Sequence, residues 1–193
     1  MNNLITFFIL AMILYLYGSI PFALLLAKTK NVDLMNFGSG NLGGSNLGRA
    51  CGKKYFIYSF ILDMSKGFLA VFLANKFNIN PLFLFPFALL GHTFSCFIKF
   101  KGGKGVATCF GFALAMSLPT ALITITCFLI ILYLSKYVSL AAMISVAIYA
   151  TLALTFNVQL AIFVYVVDLF IIFTHKSNIK RIINGTENKI TWM

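Results

Sequence analysis

The sequence is poor in charged residues, and above all in acidic ones. Only 10% of the 193 residues are charged and Asp and Glu together number 4, whereas about a quarter of an ordinary soluble domain is charged. Hydrophobic residues make up 61% of the chain, which is more apolar surface than a soluble protein of this length can bury. These values exclude a soluble enzyme, a disordered tail and a disulfide-rich secreted domain. They indicate a single polytopic membrane domain over residues 1–193.

Basic residues dominate the small charged fraction. The 15 Lys and Arg residues give a formal net charge of +11, which favours anionic partners such as lipid headgroups or phosphorylated substrates. Nucleic acid is not expected as a partner, because most of the chain should lie in lipid. The 4 cysteines form no CxxC motif and no cluster with histidine, so we expect no metal site.

Long apolar runs predict membrane-spanning helices. Five runs approach the roughly 17–25 residues that a spanning helix needs: Leu4–Ala27, Tyr55–Asn75, Pro81–Ile98, Tyr137–Phe156 and Val158–Thr174. A further stretch, 106–134, is too long for one ordinary span and short for two. Proline is favoured in the first turn of a helix and disfavoured deep inside one. Pro119 therefore predicts two short helices, Val106–Leu118 and Pro119–Leu134, and an all-α protein with seven spans.

The distribution of Lys and Arg decides between six and seven spans, because these residues collect on the cytoplasmic side. With seven spans and an external amino terminus, 13 of the 15 basic residues are cytoplasmic, Lys76 is external and Lys66 lies within a helix. With six spans, 8 are inside and 6 are outside. Seven spans fit better and place the carboxyl terminus in the cytoplasm. The short helix from Val106 cannot cross alone, so we expect the glycine-rich stretch before it to dip below the headgroups.

This topology places three polar segments on the cytoplasmic side. The first segment, Gly38–Arg49, reads GSGNLGGSNLGR and offers the donors Ser39, Asn41, Ser45, Asn46 and Arg49. Glycine lets backbone N–H groups converge on an anion, and hydroxyl and amide groups add donors. A flexible linker is the alternative, but a linker has no need of paired asparagines and a terminal arginine. The string GxGxxG follows a membrane helix rather than a strand, so it does not indicate a dinucleotide site.

The second segment, Lys99–Thr108, reads KFKGGKGVAT and leads directly into a predicted helix. A helix amino terminus presents unpaired N–H groups and the positive end of the helix dipole. Glycines permit a close approach, and Lys104 can reach a phosphate. The alternative is a basic anchor at the membrane surface, which would not require Gly102, Gly103 and Gly105 between the lysines.

The third segment begins at His175, where the last span leaves the membrane. Asn178 follows three residues later, so both side chains can share one helical face. A basic tail next to the membrane is the alternative reading of 175–189.

Polar residues within the apolar runs are costly there and are therefore candidates for function. Asp63 and Lys66 are spaced to pair on one helix, either as a structural pair or at the active site. Asp168 has no obvious partner in sequence, although Lys66 and Arg49 are candidates. Two further polar side chains have open roles: His92 is an interior residue or a site residue, and Ser139 is a helix N-cap or a donor to substrate.

At these residues the sequence resembles the acyl-phosphate:glycerol-3-phosphate acyltransferase family of bacterial membranes, the PlsY family. The resemblance covers essentially the whole chain. It rests on GSGNLGGSNLGR, GHTFSCFIKFKGGKGVAT and HKSNIKRIINGTENK, with GSIPF at Gly18–Phe22 and DMSKG at Asp63–Gly67. The departures are modest: Gly44, Ser45 and Lys176 stand where the family usually has Ala, Thr and Arg, and Ser95 stands near a usual Pro.

The resemblance implies transfer of a long-chain acyl group from acyl phosphate to the 1-hydroxyl of sn-glycerol 3-phosphate, without a cofactor. The products are lysophosphatidate and phosphate, and the reaction is the first acylation of bacterial phospholipid synthesis at the cytoplasmic membrane. A separate enzyme that forms acyl phosphate is implied as a functional partner. The HxxxxD pattern of many other glycerolipid acyltransferases is absent after both His92 and His175, which disfavours a His–Asp base.

The expected roles follow from the resemblance. The expected catalytic residues are Ser39, Asn41, Lys104 and His175. The expected ligands of acyl phosphate are Ser39, Asn41, Gly102, Gly103, Lys104, Gly105 and Thr108, and those of glycerol 3-phosphate are Ser45, Asn46, Arg49, Lys104, Ser139, His175 and Asn178. Asp63, Lys66, His92 and Glu187 are expected to support these groups. The departing phosphate oxygen is favoured over His175 as the proton acceptor, since nearby cations make His175 less basic.

Two other classes of function compete with this one. A carrier or channel for a phosphorylated anion would also use glycine breaks and helix amino termini. The two halves of the sequence show no inverted repeat, however, and the basic groups gather at one face. A purely structural subunit would have no need of donor-rich segments.

Overall fold

The structure, a computed structural model, describes residues 2–190. This part of the chain is helical, without a regular strand, and Ser95 and Lys101 form an isolated bridge. The helices are α1 (Asn2–Ser19), α2 (Phe22–Lys28), α3 (Gly44–Cys51), α4 (Lys53–Lys76), α5 (Pro81–Thr93), α6 (Val106–Met116), α7 (Leu118–Ser135), α8 (Val138–Ala153), α9 (Val158–Thr174) and α10 (Lys176–Ile183), with a 3₁₀ turn at Cys96–Ile98.

Two compact units make up the chain, one ending at Met116 and one beginning at Ser117. Unit 1 contains α1 to α6 and unit 2 contains α7 to α10. The boundary coincides with the break that Pro119 predicted, since α6 ends at Met116 and α7 begins at Leu118 with a proline in its first turn. The first turn is the position in a helix where the missing N–H of proline costs nothing.

The first apolar run was predicted as one helix, Leu4–Ala27, but the structure divides it. α1 ends at Ser19 and α2 begins at Phe22. Proline cannot donate a backbone hydrogen bond and restricts the residue before it, so Pro21 interrupts the helix. The break leaves the carbonyl of Ile20 available to a side chain of another helix, as described below.

The run Pro81–Ile98 was also predicted as one helix, and it too is shorter in the structure. α5 ends at Thr93, and the side chain of Ser95 accepts a hydrogen bond from Phe97 N at 3.3 Å. Such local side-chain bonds compete with the helix. The remaining helices follow the predicted runs closely, and α9 has the predicted bounds, Val158–Thr174.

Glycines bring two helix pairs of unit 1 into close contact. A Cβ atom on Gly67 of α4 would overlap the carbonyl oxygen of Thr108 on α6, and one on Gly111 of α6 would overlap that of Met64. Gly18 and Gly91 have the same relation to the partner backbone between α1 and α5. Small residues at helix interfaces are typical of membrane proteins. The α4–α6 contact holds the first turn of α6, which contains the end of the second segment, against α4.

Three segments of the described chain, or four if a bent helix pair is counted as one, are long and apolar enough to span a membrane. Three are long enough alone, namely Asn3–Lys28, α4 and α7, and α9 qualifies together with α10 across a bend of 63°. α5, α6 and α8 are apolar but shorter. Many large apolar side chains on these helices are exposed, among them Leu4, Phe83, Leu134 and Leu169, as expected for surfaces that face lipid. The number of spans and their orientation remain predictions.

Candidate active site

The first segment is a glycine turn followed by the short helix α3. Gly38 and Gly40 have φ values of +56° and +66°, which favour glycine. Asn46 of α3 is 1% exposed. Its Oδ1 accepts from Ser39 N at 3.2 Å, and its Nδ2 donates to the carbonyls of Leu34 and Phe37 at 3.2 and 2.9 Å. Both amide hydrogens are thereby committed to the backbone, so Asn46 organises the turn.

Three predicted donors of the first segment lie together. Arg49 Nη2 donates to Ser39 Oγ at 3.4 Å, and the same oxygen accepts from Asn41 N at 3.4 Å. Ser45 lies in the first turn of α3 and is half-buried. The segment thus places a guanidinium, a hydroxyl and an amide at one point of unit 1.

The second segment contains the glycine loop, which we define as Gly102–Gly105. Gly105 has a φ of +90° and directly precedes α6. The loop lies next to the first segment, since a Cβ atom on Gly43 would be 3.9 Å from Gly103 Cα. Lys104 is half-buried within the loop. Unit 1 therefore brings both glycine-bearing segments together.

Thr108, the last residue of the second segment, lies between α6 and α4. Its side chain is fully buried, and Oγ1 donates to the carbonyl of Asp63 at 3.3 Å. The residue lies in the first turn of α6, on the face that packs against α4. Its hydroxyl therefore links these two helices.

A charged cluster lies buried between the helices of unit 1. Lys66 Nζ is 2.7 Å from Asp63 Oδ1, which confirms the pair that the spacing predicted. His92 of α5 joins this pair, with Nδ1 at 3.2 Å from Lys66 Nζ and 3.3 Å from Asp63 Oδ1. Lys66 also donates to the carbonyl of Ile20 at 2.8 Å, at the break that Pro21 causes. Lys66, which the sequence offered as a partner of Asp168, thus binds Asp63.

Glu187 is the centre of a hydrogen-bond network in unit 2. Its Oε1 accepts from Ser139 Oγ at 2.9 Å and from Asn178 Nδ2 at 2.5 Å, and its Oε2 accepts from Arg181 Nε at 2.7 Å. The structure thereby brings together two of the expected ligands of glycerol 3-phosphate. Ser139 is not an N-cap, because α8 is capped at Tyr137 and Ser139 bonds the tail instead.

The charge of Glu187 is favoured in this setting. Burial raises the pKa of the Glu187 carboxyl, but hydrogen bonds from Asn178, Ser139 and Arg181 and the charge of Arg181 outweigh it, so the pKa lies below the usual 4.5. A carboxylate that accepts several hydrogen bonds stays ionised for this reason. Glu187 consequently holds three donor side chains in fixed directions at neutral pH.

His175 lies at the end of α9 with a defined ring orientation. The residue is 3% exposed, and its Nδ1 is 2.8 Å from the carbonyl oxygen of Ile171. A carbonyl only accepts, so Nδ1 carries the hydrogen in this contact. In the neutral ring, Nε2 is then the acceptor atom.

Asp168 and Tyr149 are buried polar residues of unit 2. Asp168 Oδ1 and Tyr149 Oη have no hydrogen-bond partner among the described residues. Asp168 lies seven residues before His175 on α9, which places both on one helical face.

Sequence reasoning missed two features of the site. Arg181 was not considered, although it lies one turn after Asn178 and faces the same carboxylate. The contact of His92 with Lys66 was missed because the two residues come from different helices. Neither contact follows from local spacing, because Arg181 and Glu187 are six residues apart and Glu187 lies beyond the end of α10, whereas His92 and Lys66 lie on different helices.

Comparisons with known proteins agree on one family. The profile of the family Glycerol-3-phosphate acyltransferase matches residues 8–185. A Thermosipho melanesiensis protein named Glycerol-3-phosphate acyltransferase is 42% identical over 177 residues, which is 91% of this chain and 88% of the relative. The crystal structure of PlsY (YgiH), an integral membrane glycerol 3-phosphate acyltransferase, in its glycerol 3-phosphate form superposes with a TM-score of 0.90, at 37% identity over 96% of both chains. Its lysophosphatidic acid form gives a TM-score of 0.86 at 36% identity, covering 96% of this chain and 95% of that one.

Proposed function

The chain belongs to the glycerol-3-phosphate acyltransferase family, and we propose that its acyl donor is a long-chain acyl phosphate. The protein is an integral membrane glycerol-3-phosphate acyltransferase of the PlsY type. The proposed acceptor is the 1-hydroxyl of sn-glycerol 3-phosphate. The glycerol oxygen attacks the acyl carbon, the bond from that carbon to the phosphate oxygen breaks, and lysophosphatidate and inorganic phosphate are formed.

The observation that carries this proposal is the meeting of two glycine-bearing segments with Arg49, Ser39 and Asn41 in unit 1. Acyl phosphate is an activated mixed anhydride with a good leaving group. The protein therefore has chiefly to hold two anions in attack geometry and to stabilise the oxyanion. A group of N–H donors and cations suits that task.

The proposed roles follow the chemistry of each group. The glycine loop with Lys104 binds the phosphate of the acyl phosphate, assisted by Ser39 and Asn41. Asn46 and Thr108 are assigned to the support of these segments, because their polar hydrogens bond the backbone.

The proposed ligands of glycerol 3-phosphate are Ser45, Arg49, Lys104, Ser139, His175 and Asn178. The chain is proposed to form one membrane domain. Glu187 keeps Ser139 and Asn178 in place, and Nε2 of His175 accepts a hydrogen bond from a glycerol hydroxyl. The hydroxyl proton passes to the departing phosphate, which acts as the base.

The proposed location is the bacterial cytoplasmic membrane, with seven spans, an external amino terminus and the site on the cytoplasmic side. An enzyme that forms acyl phosphate would supply the donor.

Single cysteines at Lys53, Lys76 and Lys189 of a chain without its native cysteines test the topology. A membrane-impermeant thiol reagent added outside intact cells should label only position 76. Labelling of position 189 from outside would contradict seven spans.

The donor is tested with purified protein in lipid vesicles. Palmitoyl phosphate and glycerol 3-phosphate together should yield lysophosphatidate and one phosphate per turnover, and omission of either substrate should stop phosphate release. Palmitoyl-CoA and palmitoyl-acyl carrier protein should not replace palmitoyl phosphate. Efficient use of either thioester without palmitoyl phosphate would overturn the proposed donor.

A further inference from the structure

The buried charged cluster of unit 1 has no part in the chemistry described so far. Lys66 is 1% exposed, and its ammonium contacts Asp63, His92 and the Ile20 carbonyl and lies 4.9 Å from the centroid of the Phe22 ring. Desolvation offsets most of the attraction within a buried ion pair, so an apolar pair of similar size would often be as stable. Stability alone therefore does not account for these charges, and their position under the glycine loop suggests another use.

His92 connects the cluster to the glycine loop. The backbone carbonyl of His92 accepts a hydrogen bond from Gly103 N at 3.1 Å. A Cβ atom on Gly103 would overlap Nε2 of the His92 ring, whereas one on Gly102 would meet the backbone carbonyls of His92 and Thr93. A cavity of about 10 Å³ is lined by Lys66, His92, Gly102 and Gly103 together. The ring and carbonyl of His92 thus form the surface on which the loop lies.

The cluster fixes the orientation of the His92 ring. Nδ1 lies 3.2 Å from the Lys66 ammonium and 3.3 Å from the Asp63 carboxylate. An ammonium only donates and a carboxylate only accepts, so each tautomer of the ring has a partner at Nδ1. Rotation of the ring would break both contacts in a buried environment, where unpaired polar groups are costly. The edge that carries Nε2 is consequently held against Gly103.

We propose that His92 is a positioning residue that sets the backbone of the glycine loop, with Lys66 and Asp63 holding its ring. The inference rests on the proposed function, in which this loop binds the phosphate of the acyl phosphate. Glycines give a loop no side-chain contacts of their own and many accessible conformations. An external surface is therefore required if the N–H groups are to keep the geometry that binding and attack need.

The first test replaces His92 by asparagine. The Asn amide occupies the place of Nδ1 and keeps a partner for Lys66 and Asp63, but nothing remains at the place of Nε2. We expect His92→Asn to raise the KM for palmitoyl phosphate about tenfold, which corresponds to about 1.4 kcal/mol of lost binding, and to change the KM for glycerol 3-phosphate less than about twofold. A merely structural residue would lower the amount of active enzyme and leave both KM values unchanged, which would overturn the proposal.

A double-mutant cycle tests the contact itself, with a matched control in the same loop. Gly103→Ala introduces a methyl group against the His92 ring, and Gly102→Ala introduces one against backbone carbonyls. We expect Gly103→Ala to lower kcat/KM at least about 30-fold in the presence of His92 but no more than about 3-fold in the His92→Asn background, a coupling in the range of contacting residues. Gly102→Ala should lower kcat/KM by the same factor in both backgrounds, because its methyl group meets backbone carbonyls that are present in both.

If Gly103→Ala lowers kcat/KM by the same factor with His92 and with His92→Asn, the positioning role of His92 is contradicted. The same four variants can be compared by their thermal unfolding midpoints in detergent, a measurement that does not depend on catalysis. Gly103→Ala should lower the midpoint when His92 is present and leave it unchanged in the His92→Asn background. This readout separates two failures. If the wild-type protein does not use palmitoyl phosphate, the proposed donor is wrong and the unfolding cycle still decides the His92 contact. If the wild-type protein is active and both cycles are additive, only the present proposal is wrong.

Discussion

Ser139 Oγ donates a hydrogen bond of 2.9 Å to Glu187 Oε1, although 48 residues separate the two in sequence. The contact joins the start of α8 to the tail that follows α10. The chain has only 4 acidic residues, and one of them is placed where the proposed ligands of an anionic substrate converge. A carboxylate repels phosphate, so Glu187 is not a ligand of the substrate. It instead orients the donor side chains that bond to it.

Replacement of Glu187 by glutamine should weaken this arrangement. The amide keeps one acceptor oxygen but places an NH₂ group against a donor, Arg181 or Asn178. We expect a loss of about 1–3 kcal/mol in the free energy of unfolding, the usual cost of an unsatisfied buried polar group. The KM for glycerol 3-phosphate should rise about tenfold, as expected from the loss of about 1.4 kcal/mol of binding. Thermal unfolding and steady-state kinetics measure the two effects.

Lys180→Gln is the matched control for Glu187→Gln, because Lys180 is an exposed residue of α10. A surface substitution of this kind should change stability by less than about 0.5 kcal/mol. Equal behaviour of the two variants would show that the network around Glu187 has no influence on the binding of glycerol 3-phosphate.

Acid should release the tail around Glu187. The pKa of Glu187 in the folded protein lies below its usual 4.5, so its contribution to stability is complete above that value and is lost as the pH falls through the lowered pKa. The protection of the amide hydrogens of residues 184–190, measured relative to their intrinsic exchange rates at each pH, should therefore fall in acid. In Glu187→Gln this loss of protection should be absent, and its persistence would assign the effect to another group.

His175→Gln distinguishes substrate binding from base catalysis. Glutamine places a polar group near the position of Nε2 but cannot accept the hydroxyl proton. If the departing phosphate is the base, the variant should keep kcat within about fivefold and raise the KM for glycerol 3-phosphate about tenfold, because a general base would contribute about 10²–10⁴-fold to kcat. A fall in kcat of a thousandfold at saturating substrates would identify His175 as the base.

The buried pair Asp63 and Lys66 permits a separation of stability from activity. Lys66→Met should destabilise the protein by about 3–5 kcal/mol, because it leaves the carboxylate buried without its partner. The double variant Asp63→Leu/Lys66→Met removes both charges and should recover most of the thermal stability. It should not recover kcat/KM for palmitoyl phosphate, since nothing then holds the His92 ring. Recovery of both quantities would show that the pair serves stability alone.

The sequence predicted those parts of the fold that depend on local rules. The break between α6 and α7 was predicted because proline is favoured in the first turn of a helix and disfavoured deep inside one. Asp63 and Lys66 were predicted to pair because residues three apart share a helical face. The break at Pro21 could have been predicted by the same argument, but a continuous apolar run obscured it.

Long-range contacts account for what the sequence left open. The helix α3 was not expected, because glycine disfavours helices. Gly43 directly precedes α3, and Gly44 and Gly48 lie within it. The contacts of Asn46 and Thr108 with backbone carbonyls are equally invisible in sequence, and both residues were taken for ligands. Glu187 was expected to support the site, but its donors come from α8 and α10. Local spacing thus predicts helices and pairs, whereas the partners of buried polar groups depend on how helices pack.

The central claim is acyl transfer from acyl phosphate, and an oxygen label tests it most directly. Palmitoyl phosphate with ¹⁸O at the oxygen between carbon and phosphorus is incubated with the protein and glycerol 3-phosphate in vesicles. Attack at the acyl carbon expels the bridging oxygen with phosphorus, so mass spectrometry should find the label in inorganic phosphate and none in lysophosphatidate. Label in free palmitate, or no lysophosphatidate at all, would contradict the account.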